Sequence, residues 1–181
     1  MAKELEVKIL NIDIEEMEDR IRKLGASYLG KEYQINTLID SEENHIENSL
    51  DAYMRIRETR FEPSGEKATT LTLKKNIKRE GIRENIEVNT DISDKIAMLE
   101  ILKSLGYVVK ERGEKERISY ILGKTRFDLD RWDKDTYPYP YMEIEVEKEE
   151  DLDHIIDSLA IPRENISIKS IVELRREAKL I

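Results

Sequence analysis

The chain has 181 residues, a net charge of −9, and equal shares, 39% each, of charged and hydrophobic residues. That length suits one domain with a real core. The lack of cysteine excludes disulfides and zinc–thiolate sites, no apolar run reaches membrane-spanning length, and the acidic balance argues against a duplex nucleic acid partner while leaving room for a small anion in a local basic pocket.

The first residues, Met1-Ala2-Lys3-Glu4, carry no apolar signal core, so a cytoplasmic location is expected. Leu5, Val7 and Ile9 alternate with Glu4, Glu6 and Lys8, which predicts a first strand. Asp13 with Glu16 three residues on has capping-box spacing, and Ile14, Met17, Ile21 and Leu24 recur at helical period before Gly25 stops the helix. A strand pattern covers Tyr33 to Asp40, and polar Ser41 to Asp51 reads as a loop. Tyr53 to Thr59 and Thr69 to Lys75 read as strands joined by the turn residues Phe61 to Gly65. Gly81 precedes a strand from Ile82 to Val88. Ser93 is placed to cap a helix carrying Ile96, Leu99, Leu102 and Leu105, with Gly106 as its stop. Strands follow at Val108 to Arg112, Arg117 to Leu122, Arg126 to Asp130 and Met142 to Glu147, with a turn at Gly113. Leu152, Ile155, Ile156 and Leu159 mark a further helix, and a last one runs from about Ser170 to Lys179.

Glu6 and Glu87 lie 81 positions apart, as do Leu24-Gly25 and Leu105-Gly106. Each copy runs strand, helix, Leu-Gly, strand, which fits two halves closing one barrel with helices outside.

The polar faces of the strands carry blocks of one sign. Glu4 and Glu6 share a face, as do Glu143, Glu145 and Glu147; Arg55 and Arg57 share another. Alternation alone fits an antiparallel sheet with one wet face. Like charges along one face repel, however, and they make sense where carboxylates share a cation and arginines share a polyanion. If helices cover the apolar faces, the polar faces line a common interior, and eight strands leave room for one small ligand. Glu4, Glu6, Asp130, Glu143 and Glu145 offer only oxygen ligands, which selects Mg²⁺ or Mn²⁺. Lys8, Arg55, Arg57, Lys74, Arg83, Lys115 and Arg117 offer donors to phosphate. His45 and His154 read as solvated surface residues, and Trp132 with Tyr137-Pro138-Tyr139-Pro140-Tyr141 as a stiff strand connection. There is neither a covalent-catalysis triad nor a glycine-rich phosphate loop.

Glu4-Leu5-Glu6-Val7-Lys8 resembles the ExExK signature of the CYTH superfamily, the triphosphate tunnel metalloenzymes. Gln34-Ile35-Asn36 ahead of Asp40, Arg55-Ile56-Arg57, Leu73-Lys74, Lys115-Glu116-Arg117, Leu129-Asp130 and Glu143-Ile144-Glu145 follow in that family's order, so the resemblance covers nearly the whole chain. It implies an α+β fold: an eight-stranded antiparallel tunnel with helices outside, one domain over residues 1–181. It further implies that Glu4 and Glu6 hold a metal bridging phosphates, that Asp130, Glu143 and Glu145 help hold a metal near the reacting phosphorus, and that the seven basic residues grip the triphosphate, Lys8 also serving catalysis. Lys169 would reach the tunnel near the last helix. Two departures stand out: Asn85 replaces a glutamate of the family's Arg-x-Glu-x-Glu, and Leu38-Ile39 stands where Tyr-Phe is common. The adjacent pair Lys110 and Arg112 competes with Lys115 and Arg117 for the tunnel wall.

The expected activity is metal-dependent hydrolysis of inorganic tripolyphosphate or an organic triphosphate such as ATP or thiamine triphosphate. A class IV adenylyl cyclase forming cyclic AMP and pyrophosphate is the alternative, and a non-catalytic polyphosphate-binding module the third reading. A homodimer fits the family, although no apolar seam in the sequence announces one.

Overall fold

The computed structural model describes residues 2–181, the side chains of residues 2, 78 and 79 excepted. Eight antiparallel strands close into a barrel: β1 (Ala2–Ile9), β2 (Ser27–Ser41), β3 (Ala52–Glu62), β4 (Lys67–Glu80), β5 (Ile82–Asp91), β6 (Tyr107–Leu122), β7 (Thr125–Trp132) and β8 (Tyr141–Val146). Their order around the wall is β5-β4-β3-β2-β6-β7-β8-β1, and β1 returns to pair with β5, so neither is left as an open edge. A two-residue strand, β9 (Ile166–Ser167), adds to β1. Helices α1 (Ile14–Lys23), α2 (His45–Leu50), α3 (Lys95–Ser104), α4 (Glu149–Ser158) and α5 (Ile171–Glu177) pack outside the wall or across its end. Among the described residues no helix is long and apolar enough to cross a membrane.

Successive strand side chains alternate between faces, and here the apolar set points out. Val7 and Ile9 lie under α1 and α4, in a core with Ile21, Phe127, Leu129, Ile144 and Ile156. A second core, with Ile39, Ile46, Met54, Ile56 and Leu102, lies beneath α2 and α3. Each such buried side chain contributes roughly 1.5–3 kcal/mol. Covering the apolar faces from outside leaves the polar faces no place but the interior.

The repeat seen in the sequence is a pseudo-twofold of the barrel. Helices α1 and α3 coincide end to end at an offset of 81 residues, and both are followed by a glycine at positive φ, Gly25 at 95° and Gly106 at 89°. Where β1 meets β5, Glu4 pairs with Asn85; where β2 meets β6, Gln34 pairs with Lys115. Both pairs are 81 positions apart, so the axis passes through them on opposite walls.

Several boundaries differ from expectation, each for a local reason. Residues 45–50 form α2 instead of loop, because the buried Asp40 carboxylate accepts hydrogen bonds from the N–H groups of Ile46 at 2.8 Å and Glu47 at 3.0 Å. Asp94, rather than Ser93, caps α3, accepting from Ile96 and Ala97. Asp13 caps α1 through the Glu16 N–H as predicted, but the Glu16 side chain turns to Arg20. The two strands predicted on either side of Gly113 are one, β6. Gly113 is there for space and makes no turn: a Cβ would meet Thr136 Oγ1 at 2.6 Å and the Trp132 ring at 3.0 Å.

Candidate functional site

The barrel encloses a cavity of about 840 Å³, well within the range of ligand sites. Its walls are set by strand register. Glu4, Glu6 and Lys8 project from β1; Arg55 and Arg57 from β3; Lys74 from β4; Arg83 and Glu87 from β5; Lys115 and Arg117 from β6; Glu143 and Glu145 from β8. All the predicted site residues except Asp130 therefore converge on one space.

The acidic side is built on β1 and β8, where Glu6 pairs with Glu145 and Lys8 with Glu143. Lys74 Nζ sits 2.6 Å from Glu4 and 3.2 Å from Glu6, with Glu87 at 3.8 Å. Burial would lower the Lys74 pKa, but Tyr53 and the surrounding glutamates outweigh it and raise it. Burial lifts Glu145 to about 7, and repulsion from Glu4 and Glu6 adds to it. Glu4 is raised as well, mainly by burial. Asn85, fully buried in place of the family's glutamate, donates to Glu6 Oε1 at 2.9 Å and accepts from Arg83 Nε at 3.1 Å. The missing carboxylate thus becomes a hydrogen bond that fixes a remaining one.

The basic side is stitched into the acidic one at some points and left open at others. Arg117 makes a bidentate contact with Asp130, both bonds 2.6 Å, and reaches Asp128 and Glu143 at the same distance. Lys8 meets Glu143 at 3.1 Å. These contacts draw Glu143 far below its ordinary pKa although burial opposes it. Lys115 bonds to Asp130 at 2.8 Å; burial and the neighbouring Arg117 nevertheless lower it to about 8. Arg57, which lines the cavity, has among the described residues only Asn36 Oδ1 as a hydrogen-bond acceptor, at 3.2 Å. Burial, then Arg55 and Arg117, bring it down to about 10. Arg55 stacks on Tyr53 at 5.4 Å, and its Nε has no partner among the described residues.

Two expectations are corrected, and the choice between the rival basic pairs is decided by position. Asp130 is fully buried with both oxygens held by Lys115 and Arg117, and it does not line the cavity, so this arrangement uses it to position the basic pair and offers no free oxygen to a metal. Lys169 points away, onto Glu177. Between the rival basic pairs, Lys115 and Arg117 line the interior, Arg112 is partly exposed on the outer face, and Lys110 reaches the rim, where it donates to the Ser41 and Glu42 carbonyls. His45 and His154 are exposed, as expected.

Sequence reasoning missed Asn36, Asp128 and Arg175 as cavity residues. Asp128 alternates in phase with Asp130, and Asn36 with Gln34 and Asp40 of the same motif, so strand period alone could have found them. Arg175 comes from α5, and no strand pattern signals it. Trp132 and Tyr141 also reach the cavity, joined by a bond from Trp132 Nε1 to the Tyr141 hydroxyl at 2.9 Å.

Among the described residues no three acidic groups or histidines converge tightly enough to hold an ion as they stand; Lys74 fills the space between Glu4 and Glu6. The donor chemistry still fits a hard cation. Glu4, Glu6 and Glu145 present only carboxylate oxygens, and their mutual repulsion, visible in the raised Glu145, is what a divalent ion would relieve.

No curated protein matches the sequence. Solved structures do match in shape. A protein of Pyrococcus horikoshii OT3 has 22% identity and a TM-score of 0.77, over 97% of this chain and 99% of that one. An adenylate cyclase candidate from Vibrio parahaemolyticus has 15% identity and a TM-score of 0.74, over 96% and 97%. A Hippeastrum adenylyl cyclase candidate, described as revealing a dominant triphosphatase activity, has 16% identity and a TM-score of 0.71, over 100% and 98%. At these identities the likeness concerns the fold. The CYTH domain profile matches residues 2–172, and with the tunnel and its ordered motifs in place, the chain belongs to the CYTH domain family.

Proposed function

We propose that the protein hydrolyses triphosphate compounds with the help of a divalent metal, inorganic tripolyphosphate being the first substrate to test. One observation carries this reading. Among the described residues, every buried, unpartnered side-chain polar atom lining the cavity is a donor: Asn36 Nδ2, Arg55 Nε and Arg175 Nε. The other two such atoms, the acceptor Gln34 Oε1 and the Thr37 hydroxyl, which both donates and accepts, are not among the cavity-lining residues. A buried donor left unmade costs about 1–3 kcal/mol. A ligand rich in anionic oxygens offsets that cost at all three points, and a polyphosphate is such a ligand.

In this reading Arg55, Arg57, Lys115, Arg117 and Arg83 orient and neutralise the phosphate chain, and Lys8 and Lys74 turn to it from their glutamates. Mg²⁺ or Mn²⁺ held by Glu4, Glu6 and Glu145 would supply further charge neutralisation and lower the pKa of the attacking water. Water attacks the terminal phosphorus, the bridging P–O bond breaks, and orthophosphate leaves with pyrophosphate. Phosphoryl transfer asks for little beyond such positioning and charge compensation. The activity ascribed to the Hippeastrum protein is of this same class.

The test is phosphorus NMR of tripolyphosphate, ATP and thiamine triphosphate incubated with the protein under Mg²⁺ and under Mn²⁺. Orthophosphate and a shortened chain are expected, and E6A or E145A should abolish them in a folded protein. Cyclic AMP and pyrophosphate from ATP would establish a cyclase instead. Broadened tripolyphosphate signals without product would make it a binding module.

A further inference from the structure

Helix α5 crosses one end of the barrel. It is pinned by Leu174 against Tyr137 and Tyr141, and by an ion pair from Arg176 to Glu47 of α2 at 2.7 Å. From it Arg175 enters the cavity. The residue is only 5% exposed, and Nη1 pairs with Glu111 of β6, which also lines the cavity. Among the described residues its Nε has no partner.

A buried guanidinium with a spare donor facing a cavity is poorly served by one carboxylate, because it offers five N–H groups in a fork that matches two oxygens at a time. We infer that Arg175 is a substrate-positioning residue that donates to phosphate oxygens at the α5 end of the tunnel, with Glu111 as its counterion until the ligand arrives. This rests on the triphosphate reading of the cavity. It gives α5 a chemical role and moves the cationic contribution of the C-terminal segment from Lys169 to Arg175.

A purely structural ion pair and a ligand contact make opposite demands on the two partners. Inorganic tripolyphosphate is titrated by calorimetry, in EDTA so that no turnover occurs, into wild type, R175M, R175K and E111Q, with thermal denaturation of each as a check of folding. A ligand contact predicts that R175M raises Kd at least fivefold, that R175K recovers part of the loss, and that E111Q matches wild type or binds more tightly, since a competing carboxylate is gone. Equal weakening by R175M and E111Q would reduce the pair to a latch for α5 and overturn the inference, as would an unchanged Kd in R175M; either result leaves the triphosphate reading standing. If R175M fails to fold, R175K and E111Q still decide between the two. No binding to wild type, either in EDTA or with Ca²⁺ added, would overturn both readings.

Discussion

Glu6 and Glu145 face each other directly across the β1–β8 pair. Burial first, then repulsion from Glu4 and from Glu6, make Glu145 hold its proton up to about pH 7, against an ordinary value of 4.5. The folded chain therefore binds a proton that the unfolded chain has released between those values. The Glu145 contribution to stability is thus lost as pH rises through that window. Compared with E145Q, the metal-free wild type should become progressively less stable from pH 5 to pH 8. Melting curves of the two proteins read this directly, and a constant difference would contradict it. Added Mg²⁺ should raise the wild-type Tm more at pH 8 than at pH 5.

Lys74 occupies the place between Glu4 and Glu6 that a cation would take. K74M should bind Mn²⁺ about tenfold more tightly than wild type, ~1.4 kcal/mol, as measured by electron paramagnetic resonance without substrate. R57M removes the same charge from the same cavity without touching either glutamate, and its effect should be smaller. Similar gains in both variants would mean general electrostatics alone.

Among the described residues Arg57 has a single neutral acceptor, the Asn36 side chain. Under the proposed function its remaining donors would serve bound phosphate in ground and transition states alike. R57A should therefore raise KM by roughly 10-fold or more and change kcat by a few-fold only. A loss confined to kcat would assign Arg57 to the transition state.

G113A should be destabilised by about 1–3 kcal/mol, because the new methyl overlaps Thr136 Oγ1. The double variant G113A/T136A should recover much of that loss in chemical denaturation. No recovery would place the strain elsewhere.

The alternation on β1, β3 and β8 made the barrel and most of its lining legible, because a strand's period fixes which side chains share a face. What stayed hidden depends on contacts across the chain. Asp40 caps α2 through a carboxylate that reads, in sequence, as the end of a strand. Gly113 looks like a turn until Trp132 and Thr136 are seen filling its missing side chain. Asp130 shares the phase of the cavity residues, yet Lys115 and Arg117 consume both its oxygens. Arg175 depends on where a short C-terminal helix docks, and helical period says nothing about that.

The pseudo-twofold axis runs through Glu4 and Asn85 on one wall and Gln34 and Lys115 on the other. At each crossing one half contributes a charged residue and the other a neutral amide. A tripolyphosphate has identical ends, and a container with matched halves would treat them identically. Mismatched substitutions at the axis give the interior a direction, so under the proposed function the two terminal phosphorus atoms of a symmetric guest would sit in different fields and could be told apart.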